Sequence, residues 1–436
     1  MEKSRHSGDK RINTGRICWK NSARRFVPAR VSGSTFWMED NMPLAWKHIC
    51  HPLRALASTR RLAQAAWINR RLLHRGERRF KRDARYDLSS VTDGFRKHAH
   101  PPGSDAPLLE RICNAYSLAV EKEQGADAKY APTQWWQEQR NLALEPVLKA
   151  LRAHDIDALQ AMYRNFFRDD CATGLIPVQR MKGGYLGEVI TDFRRRLYLI
   201  DALFRLDYWK TETECRYGLR DLAGPPVGNP FGVMLEDTLV RAGSEYQHYC
   251  AHRIAGLLEP GTATVAEIGG GFGGMAYYLL RDRQATTYID FDVPESIALS
   301  SYYLLKAFPE FKVVLYGEAE LTADAISEAD ILLLPLFEIA HLPPGTVDLS
   351  FSSHAISDLS PALMAEYLND IARLTRRHFL YIGKDKLAKV IARATPGTKR
   401  IPFTALDIRP SDWNHHIAPG EDHVEVLFRA AQAAGF

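Results

Sequence analysis

A glycine-rich segment directly after an apolar run constrains the fold of this chain more than any other feature of its sequence. The segment is VAEIGGGFGG, Val265–Gly274, in which glycine occupies Gly269, Gly271 and Gly273. The apolar run predicts a buried strand, and the glycines predict a sharp turn into a helix, because glycine accepts backbone angles that other residues avoid. The first N–H groups of such a helix have no partner within it, so they face any ligand that approaches the turn.

Short apolar runs alternate with helical patterns through the C-terminal half of the chain. This alternation is typical of a parallel, doubly wound α/β sheet with helices on both faces. Ser360 and Pro361 predict a helix start between two of the runs, as N-cap and first helical residue. The predicted strands are Thr264–Ile268, Thr287–Phe291, Lys312–Tyr316, Ile331–Leu334, Val347–Phe351 and Phe379–Ile382.

The N-terminal half shows helical periodicity instead. Apolar residues recur at helical spacing over 144–151 and 159–166, and Asp155 fits the N-cap of the second helix. The first residues of the chain show no periodicity and are rich in Arg, Ser and Gly, so we expect them to be disordered. The predicted regions are a basic tail (1–42), an all-α region (43–225) and a sheet domain (226–436).

The net charge of +5 is unevenly distributed. Residues 1–100 contain 23 Lys and Arg against 8 Asp and Glu, whereas the rest of the chain is acidic. The Arg-rich segment Arg70–Arg82 fits contact with nucleic acid, an anionic membrane or a phosphorylated carrier, but it also fits a solvated basic helix. We favour the solvated helix, since no aromatic interleaving or nucleic-acid motif accompanies the segment, and we expect no nucleic-acid partner.

The sequence also bears on the location of the protein. No apolar stretch approaches the roughly 18 residues that a membrane span requires. The basic N-terminus has no apolar segment behind it, which argues against a secretory signal. The six cysteines are scattered without a CxxC pair, as expected for thiols in a reducing compartment. These observations predict a cytoplasmic protein.

Three acidic residues accompany the glycine segment. Glu267 ends the predicted strand, and Asp290 and Asp292 end the next one, at the distance of about 20 residues where an acid binds the ribose of a nucleotide cofactor. The run Gly269–Gly274 also satisfies the GxGxxG pattern of dinucleotide sites. A carboxylate at Glu267 would repel a pyrophosphate but suits a cofactor with a cationic amino acid end. These residues predict a cofactor that contains adenosine. They leave open whether it is a dinucleotide or a cofactor with a cationic amino acid end.

The glycine segment resembles the first motif, ExGxGxG, of class I methyltransferases. The longer run from EIGGGFGG to YIDFDVPES is similar to sugar O-methyltransferases, including enzymes that methylate deoxysugars in natural-product pathways. The resemblance covers residues 215–385 and implies a Rossmann-like domain that uses S-adenosylmethionine to methylate a sugar. It makes Asp292 the ribose ligand with Asp290 in reserve, and assigns Glu267 to the amino acid end of the cofactor. The helical region would then cover the site and contribute to a homodimer.

Methyl transfer to a hydroxyl needs an acceptor held in line with the methyl group and a base to remove its proton. His354 follows a predicted strand at the edge of the sheet where ligands bind, and an ordinary histidine pKa of about 6.5 suits that role. Asp358, four residues on, would orient His354 or act as the base itself. The resembling family more often has an Asn and an acid here, and a structural histidine that caps the next turn is the alternative interpretation.

Other candidate residues favour different functions. His248 and His252 have a spacing that can bind zinc, but a polar helix face looks the same, and we predict no metal site. Tyr302 and Lys306 match the Tyr-x-x-x-Lys pair of NAD-dependent sugar oxidoreductases and epimerases. They follow the second strand, earlier than such enzymes place the pair, so we interpret them as ordinary helix residues. A non-catalytic binding protein that retains the fold is the third hypothesis.

Further aromatic residues and histidines lie outside these motifs. We assign His415, His416 and His423 to a surface loop near the C-terminus. Trp135 and Trp136 are expected in a helix core rather than against a sugar, because tryptophan on an amphipathic helix is most often buried.

Overall fold

The part of the chain before residue 226 is helical where the structure describes it. The structure is a computed structural model, and it describes residues 52–100, 103–385, 403–418 and 423–430. The predicted basic tail, 1–42, lies outside the described residues. The helices are α1 (Pro52–Phe80), α2 (Ser89–Gly94), α3 (Ala106–Glu123), α4 (Gln134–Asn141), α5 (Glu145–Ala153), α6 (Ile156–Tyr163), α7 (Val178–Lys182) and α8 (Asp192–Glu212).

The helix starts follow their local sequence. The Asp155 carboxylate accepts a hydrogen bond from the N–H of Ala158 over 3.1 Å, so it caps α6 as predicted. Later in the chain, the Ser360 hydroxyl accepts from the N–H of Leu363, and Pro361 is the first residue of its helix. Both N-cap predictions are therefore confirmed.

A hairpin that the sequence did not predict joins the helical region to the sheet. Its strands are β1 (Gly232–Leu235) and β2 (Thr238–Arg241), which pair antiparallel. The two turn residues, Glu236 and Asp237, both have positive φ, at 47° and 60°. A two-residue turn of this kind normally carries Asn-Gly or Asp-Gly, so Glu-Asp gave no signal.

The central sheet has eight strands in the described residues, in the order β5-β6-β4-β3-β7-β8-β10-β9. Neighbours from β5 to β8 are parallel, and β10 is antiparallel to both of its neighbours. The strands are β3 (Ala263–Ile268), β4 (Thr286–Asp292), β5 (Val313–Leu315), β6 (Ile331–Pro335), β7 (Val347–Ser353), β8 (Thr375–Lys384), β9 (Phe403–Pro410) and β10 (His423–Ala430). The helices with them are α9 (Ser244–Ala255), α10 (Gly274–Asp282), α11 (Pro294–Ala307), α12 (Ala323–Glu328) and α13 (Pro361–Leu374).

The strand order creates one point where the chain changes direction across the sheet. From β3 the chain passes to β4 on one side, and it later returns to β7 on the other side of β3. Open α/β sheets bind ligands at such a switch point, beyond the carboxyl ends of the strands. Glu267 lies near the end of β3, and the glycines directly follow that strand. His354 directly follows β7. All of these residues therefore lie at the switch point.

All six predicted strands occur, as β3 to β8, but β9 and β10 were not predicted. Glu425 shows why β10 gave no clear pattern, because a buried carboxylate stands in this strand where an apolar residue would be expected. That carboxylate is bonded by the hydroxyl of Tyr249 and by the guanidinium groups of Arg253 and Arg409. Sequence periodicity cannot reveal partners that lie up to 176 residues away.

The helical region packs directly against the glycine segment. The ring of Phe272, within that segment, lies 5.8 Å from Phe166 and 5.3 Å from Phe167 between ring centroids. The described residues fall within one compact unit, Asn41–Phe436. No helix among them is both long and apolar enough to cross a membrane.

Candidate functional site

The glycine turn positions backbone groups at the switch point of the sheet. Gly269, Gly271 and Gly273 all have positive φ, at 82°, 65° and 85°. A Cβ on Gly269 would lie 2.2 Å from the methyl group of Ala355 in the turn after β7. Gly273 caps α10 without any side-chain hydrogen bond, which leaves the first N–H groups of this helix free of a capping side chain. The turn therefore needs glycine for both backbone angle and close approach.

Three carboxyl groups surround this turn. Asp292 accepts hydrogen bonds from the N–H of Gly271 at 2.9 Å and from the N–H of Val293 at 2.7 Å. Asp290 is fully buried and accepts from the N–H of Gly270 at 3.1 Å. These bonds tie the end of β4 to the glycine turn, and they leave Asp292 as the more exposed of the two acids. The sequence-based choice of Asp292 as the ribose ligand stays a prediction.

Glu267 lies buried on the neighbouring strand. Its Oε2 accepts a hydrogen bond from the Tyr288 hydroxyl over 2.6 Å. Burial raises the pKa of Glu267 to about 8, and the hydrogen bond from Tyr288 opposes that rise. Burial also raises the pKa of both Asp290 and Asp292, and the proximity of Asp292 raises the pKa of Asp290 further. The ligand-free turn thus holds three acids whose ionised forms are all disfavoured.

Glu295, the last residue of the D-V-P-E run, has a structural partner set. Its carboxylate binds the Arg140 guanidinium through two bonds, at 2.6 and 2.8 Å, and also accepts from the Trp136 indole N–H. The Glu295 side chain is only 4% exposed. Trp136 is half-buried rather than in a helix core as predicted, and its N–H uses the buried Glu295 carboxylate as its acceptor. Glu295 anchors the start of α11, directly after Asp292.

His354 follows β7 in a strained backbone conformation. Its φ is 63° and its ψ −30°, which a histidine rarely adopts, and its side chain is exposed. Its ring lies 6.0 Å from Tyr246 and 5.3 Å from His423 between centroids. Strain of this kind is often found at functional sites. The Asp358 side chain lies outside the described part of the structure, so its pairing with His354 stays a prediction.

The residues that frame His354 were not among the predicted site residues. The Tyr246 hydroxyl, at the start of α9, and the Ser353 hydroxyl share a hydrogen bond of 2.6 Å. The Trp413 ring lies 5.2 Å from Tyr246, between β9 and β10. No local pattern marked these residues, since they come from three distant segments of the chain. They give the edge beyond β7 an aromatic wall beside an exposed histidine.

A buried polar network adjoins this wall. His416 lies in the segment predicted as a surface loop, but its ring is buried against Phe204 and its Nε2 lies 2.6 Å from Asp201. The prediction of surface exposure is therefore wrong for His416, because α8 supplies an anionic partner. Asp201 also binds Arg205 at 3.2 Å, and Glu245 lies buried nearby with one carboxylate oxygen that no described residue bonds.

The residues behind the rival hypotheses are used elsewhere. The Tyr302 hydroxyl and the Lys306 ammonium both bind Asp105, at 3.0 and 2.7 Å, so the Tyr-x-x-x-Lys pair is an internal contact with the helical region. The His248 Nδ1 accepts from the Trp209 indole, and burial lowers the pKa of His248 to about 4. Within the described ranges, no group of three or more His, Cys, Asp or Glu residues is placed to hold a metal ion.

Comparisons with known proteins bear on the fold alone. No protein-family model matches the chain, and no curated protein matches it. A solved S-adenosylmethionine-dependent methyltransferase from Aquifex aeolicus has 13% identity over 43% of this chain and 93% of its own, with a TM-score of 0.29. A TehB-like methyltransferase from Corynebacterium glutamicum has 14% identity over 41% of this chain and 86% of its own, also with a TM-score of 0.29.

The strand order and the glycine turn establish the fold class independently of these similarities to solved structures. A parallel sheet wound in both directions from β3, with a glycine turn at the switch point, is Rossmann-like. The predicted fold is confirmed. The helical region that precedes the sheet is likewise as predicted.

Proposed function

We propose that this protein is an S-adenosylmethionine-dependent O-methyltransferase that acts on a sugar or a sugar-containing metabolite. One observation carries the cofactor assignment. Glu267, Asp290 and Asp292 gather three carboxyl groups around the glycine turn, and the two negative charges of a dinucleotide pyrophosphate would disfavour their ionised forms still further. A cofactor with sulfonium and ammonium groups has the opposite charge and would favour the ionised carboxylates. The engagement of Tyr302 and Lys306 with Asp105 also argues against the NAD-dependent alternative.

Each predicted cofactor residue has a role in this proposal. Asp292 would bind the ribose hydroxyls, because its oxygens lie at the rim of the turn and each can accept more than one hydrogen bond. Asp290 would support the turn through Gly270. Glu267 would accept a hydrogen bond from the ammonium group at the amino acid end. The backbone of Gly269, Gly271 and Gly273 would let the cofactor approach closely.

The cofactor would supply a methyl group to an oxygen of the acceptor, and the chain must position that oxygen and take its proton. His354 is the residue best placed for this, at the carboxyl end of β7 and exposed to a ligand. Asp358 would orient His354, as the sequence predicts. The half-buried Tyr246 offers aromatic surface beside it, which suits the apolar face of a sugar ring, and the buried Trp413 packs behind Tyr246. The sugar itself rests on the resemblance of the glycine segment and the D-V-P-E run.

The cofactor assignment is tested by isothermal titration calorimetry with S-adenosylmethionine, S-adenosylhomocysteine and NAD, on the protein and on Asp292→Ala. We expect micromolar binding of the two adenosyl sulfur compounds, weakened in Asp292→Ala by roughly 10- to 100-fold through loss of hydrogen bonds to a charged group. Binding of NAD alone would assign the glycine turn to a dehydrogenase-like site. Binding of none of the three would favour a non-catalytic protein.

The base assignment is tested by transfer of a radiolabelled methyl group to a panel of sugars and glycosylated metabolites. His354→Asn should lower kcat by roughly 100-fold or more, the range for loss of a general base, with unchanged affinity for S-adenosylhomocysteine. His154→Asn is the matched control, since His154 is also exposed, also has positive φ, and lies at the end of α5. Asparagine accepts positive φ more readily than most residues, and φ is 51° at His154 and 63° at His354. The ψ of −30° at His354 lies outside the left-handed helical region that His154 occupies. Equal activity of the two variants would remove His354 from the mechanism.

A further inference from the structure

Arg241, the last residue of β2, is a buried cation that forms no ion pair with a described residue. It is 2% exposed. Burial raises the pKa of the acid Glu245, and the charge of Arg241 opposes that rise, but Glu245 does not form a salt bridge with Arg241. One terminal nitrogen donates to the carbonyl of Ala242 at 3.2 Å, and the other donates to the side-chain oxygen of Gln247. Its Nε has no hydrogen-bond partner among the described residues.

This guanidinium lies beside the glycine turn. Its central carbon is 5.1 Å from the ring centroid of Phe167 and 5.2 Å from that of Phe272. Phe272 directly precedes Gly273, the N-cap of α10. Gln247, which binds Arg241, also occupies the space beside Gly274, where a Cβ would lie 2.4 Å from its amide. Arg241 and the N-terminus of α10 therefore lie at the same end of the glycine turn.

Two independent features attract an anion at this place. Arginine keeps its charge when buried, so burying it without an anion or a full set of acceptors is costly. Arg168 shows the satisfied case, because it is also buried but donates to three backbone carbonyls. The second feature is the N-terminus of α10, whose free N–H groups and dipole favour negative charge.

We propose that Arg241 and the N-terminus of α10 bind the α-carboxylate at the amino acid end of S-adenosylmethionine. The proposal rests on the proposed function and deepens it, because it divides the two charges of that end between Arg241 and Glu267. A planar guanidinium can bind a carboxylate through two parallel hydrogen bonds. A single carboxylate fits better here than a pyrophosphate, since the acids Asp290 and Asp292 lie on the same turn.

The test compares S-adenosylmethionine with its decarboxylated form, which differs only by the missing α-carboxylate. Both are titrated calorimetrically into the full-length protein, into Arg241→Met and into Arg168→Met as the matched control for loss of a buried arginine. We expect the full protein to bind S-adenosylmethionine roughly 10- to 100-fold more tightly than the decarboxylated form, the range for a charge-assisted hydrogen bond. Arg241→Met should abolish this preference by weakening only S-adenosylmethionine, and Arg168→Met should keep it.

The outcomes separate this proposal from the proposed function. If the full protein binds both compounds equally, or if Arg241→Met weakens both by the same factor, Arg241 is structural and the proposal is overturned while the cofactor assignment stands. If the full protein binds neither compound, the cofactor assignment fails and takes this proposal with it. Should Arg241→Met fail to fold, Arg241→Lys keeps the charge but loses the planar fork. A preference reduced in Arg241→Lys supports the proposal, and an unchanged preference overturns it.

Discussion

Cofactor binding at neutral pH should release a proton from Glu267. Burial raises the pKa of Glu267 to about 8 from its ordinary 4.5, so about nine in ten of these carboxyls carry a proton at pH 7. An ammonium group within hydrogen-bond distance favours the carboxylate and would bring the pKa back toward 4.5. Binding of S-adenosylhomocysteine at pH 7 is therefore expected to release about 0.9 proton from this residue.

The same linkage predicts how affinity depends on pH. The ionised fraction of Glu267 rises from about 1% at pH 6 to about half at pH 8, so the association constant should rise about 50-fold over that interval. The ligand-free protein should respond in the opposite sense. Because the folded pKa lies above the unfolded one, the contribution of Glu267 to stability is complete below pH 4.5 and is lost as the pH rises through about 8.

The release is measured by calorimetry at pH 7 in two buffers of different ionisation enthalpy, since the difference in heat counts the protons. Glu267→Gln keeps the shape of the side chain but removes its titration, so it should lose about 0.9 of the released proton and the pH dependence assigned to Glu267. Glu259→Gln is the control, because Glu259 is an exposed acid paired with Arg377. An undiminished proton release in Glu267→Gln would refute the reasoning.

Three stability and activity measurements test other parts of the site. In urea denaturation, Gly269→Ala should lower the free energy of unfolding by about 1–3 kcal/mol more than Gly261→Ala does. Both glycines have positive φ, but only a methyl group at position 269 would meet another atom within 4 Å. Arg140→Met should lower the free energy of unfolding by about 3–5 kcal/mol, because it leaves the buried Glu295 without its ion-pair partner. The double variant that adds Glu295→Gln should recover most of that loss. Tyr302→Phe should lower the free energy of unfolding by about 1 kcal/mol and leave methyl transfer unchanged, because the Tyr302 hydroxyl binds Asp105 inside the protein. A loss of activity at unchanged stability would place Tyr302 in the reaction.

The sequence predicted what is decided locally. A glycine turn between an apolar strand and a helix needs positive φ at fixed positions, and Gly269, Gly271 and Gly273 have it. The parallel strands were found because strands buried on both faces form continuous apolar runs that need no knowledge of their partners. The N-caps at Asp155 and Ser360 were found because a cap acts over three residues.

The rest of the site depends on residues that are distant in the chain. Glu295 was visible as part of a motif, yet its partner Arg140 lies 155 residues earlier, and nothing in either segment specifies the other. The contact of Tyr246 with Ser353 spans 107 residues. His416 was assigned to the surface because the loop around it is polar, whereas the acid that buries it belongs to a helix of the N-terminal region. Such pairings follow from how elements pack, which periodicity does not encode.

These distant contacts give the helical region a defined place in the proposed reaction. Phe167 packs against Phe272 inside the glycine turn, and Arg140 holds Glu295 next to Asp292. Moving the helical region away from the sheet would expose this aromatic cluster to water and break the ion pair of Arg140 with Glu295, and the loss of apolar burial is costly. We therefore expect the region to act as a fixed wall of the proposed cofactor site rather than as the cover that the sequence suggested. Ligands should enter along the edge beyond β7, where His354 is exposed.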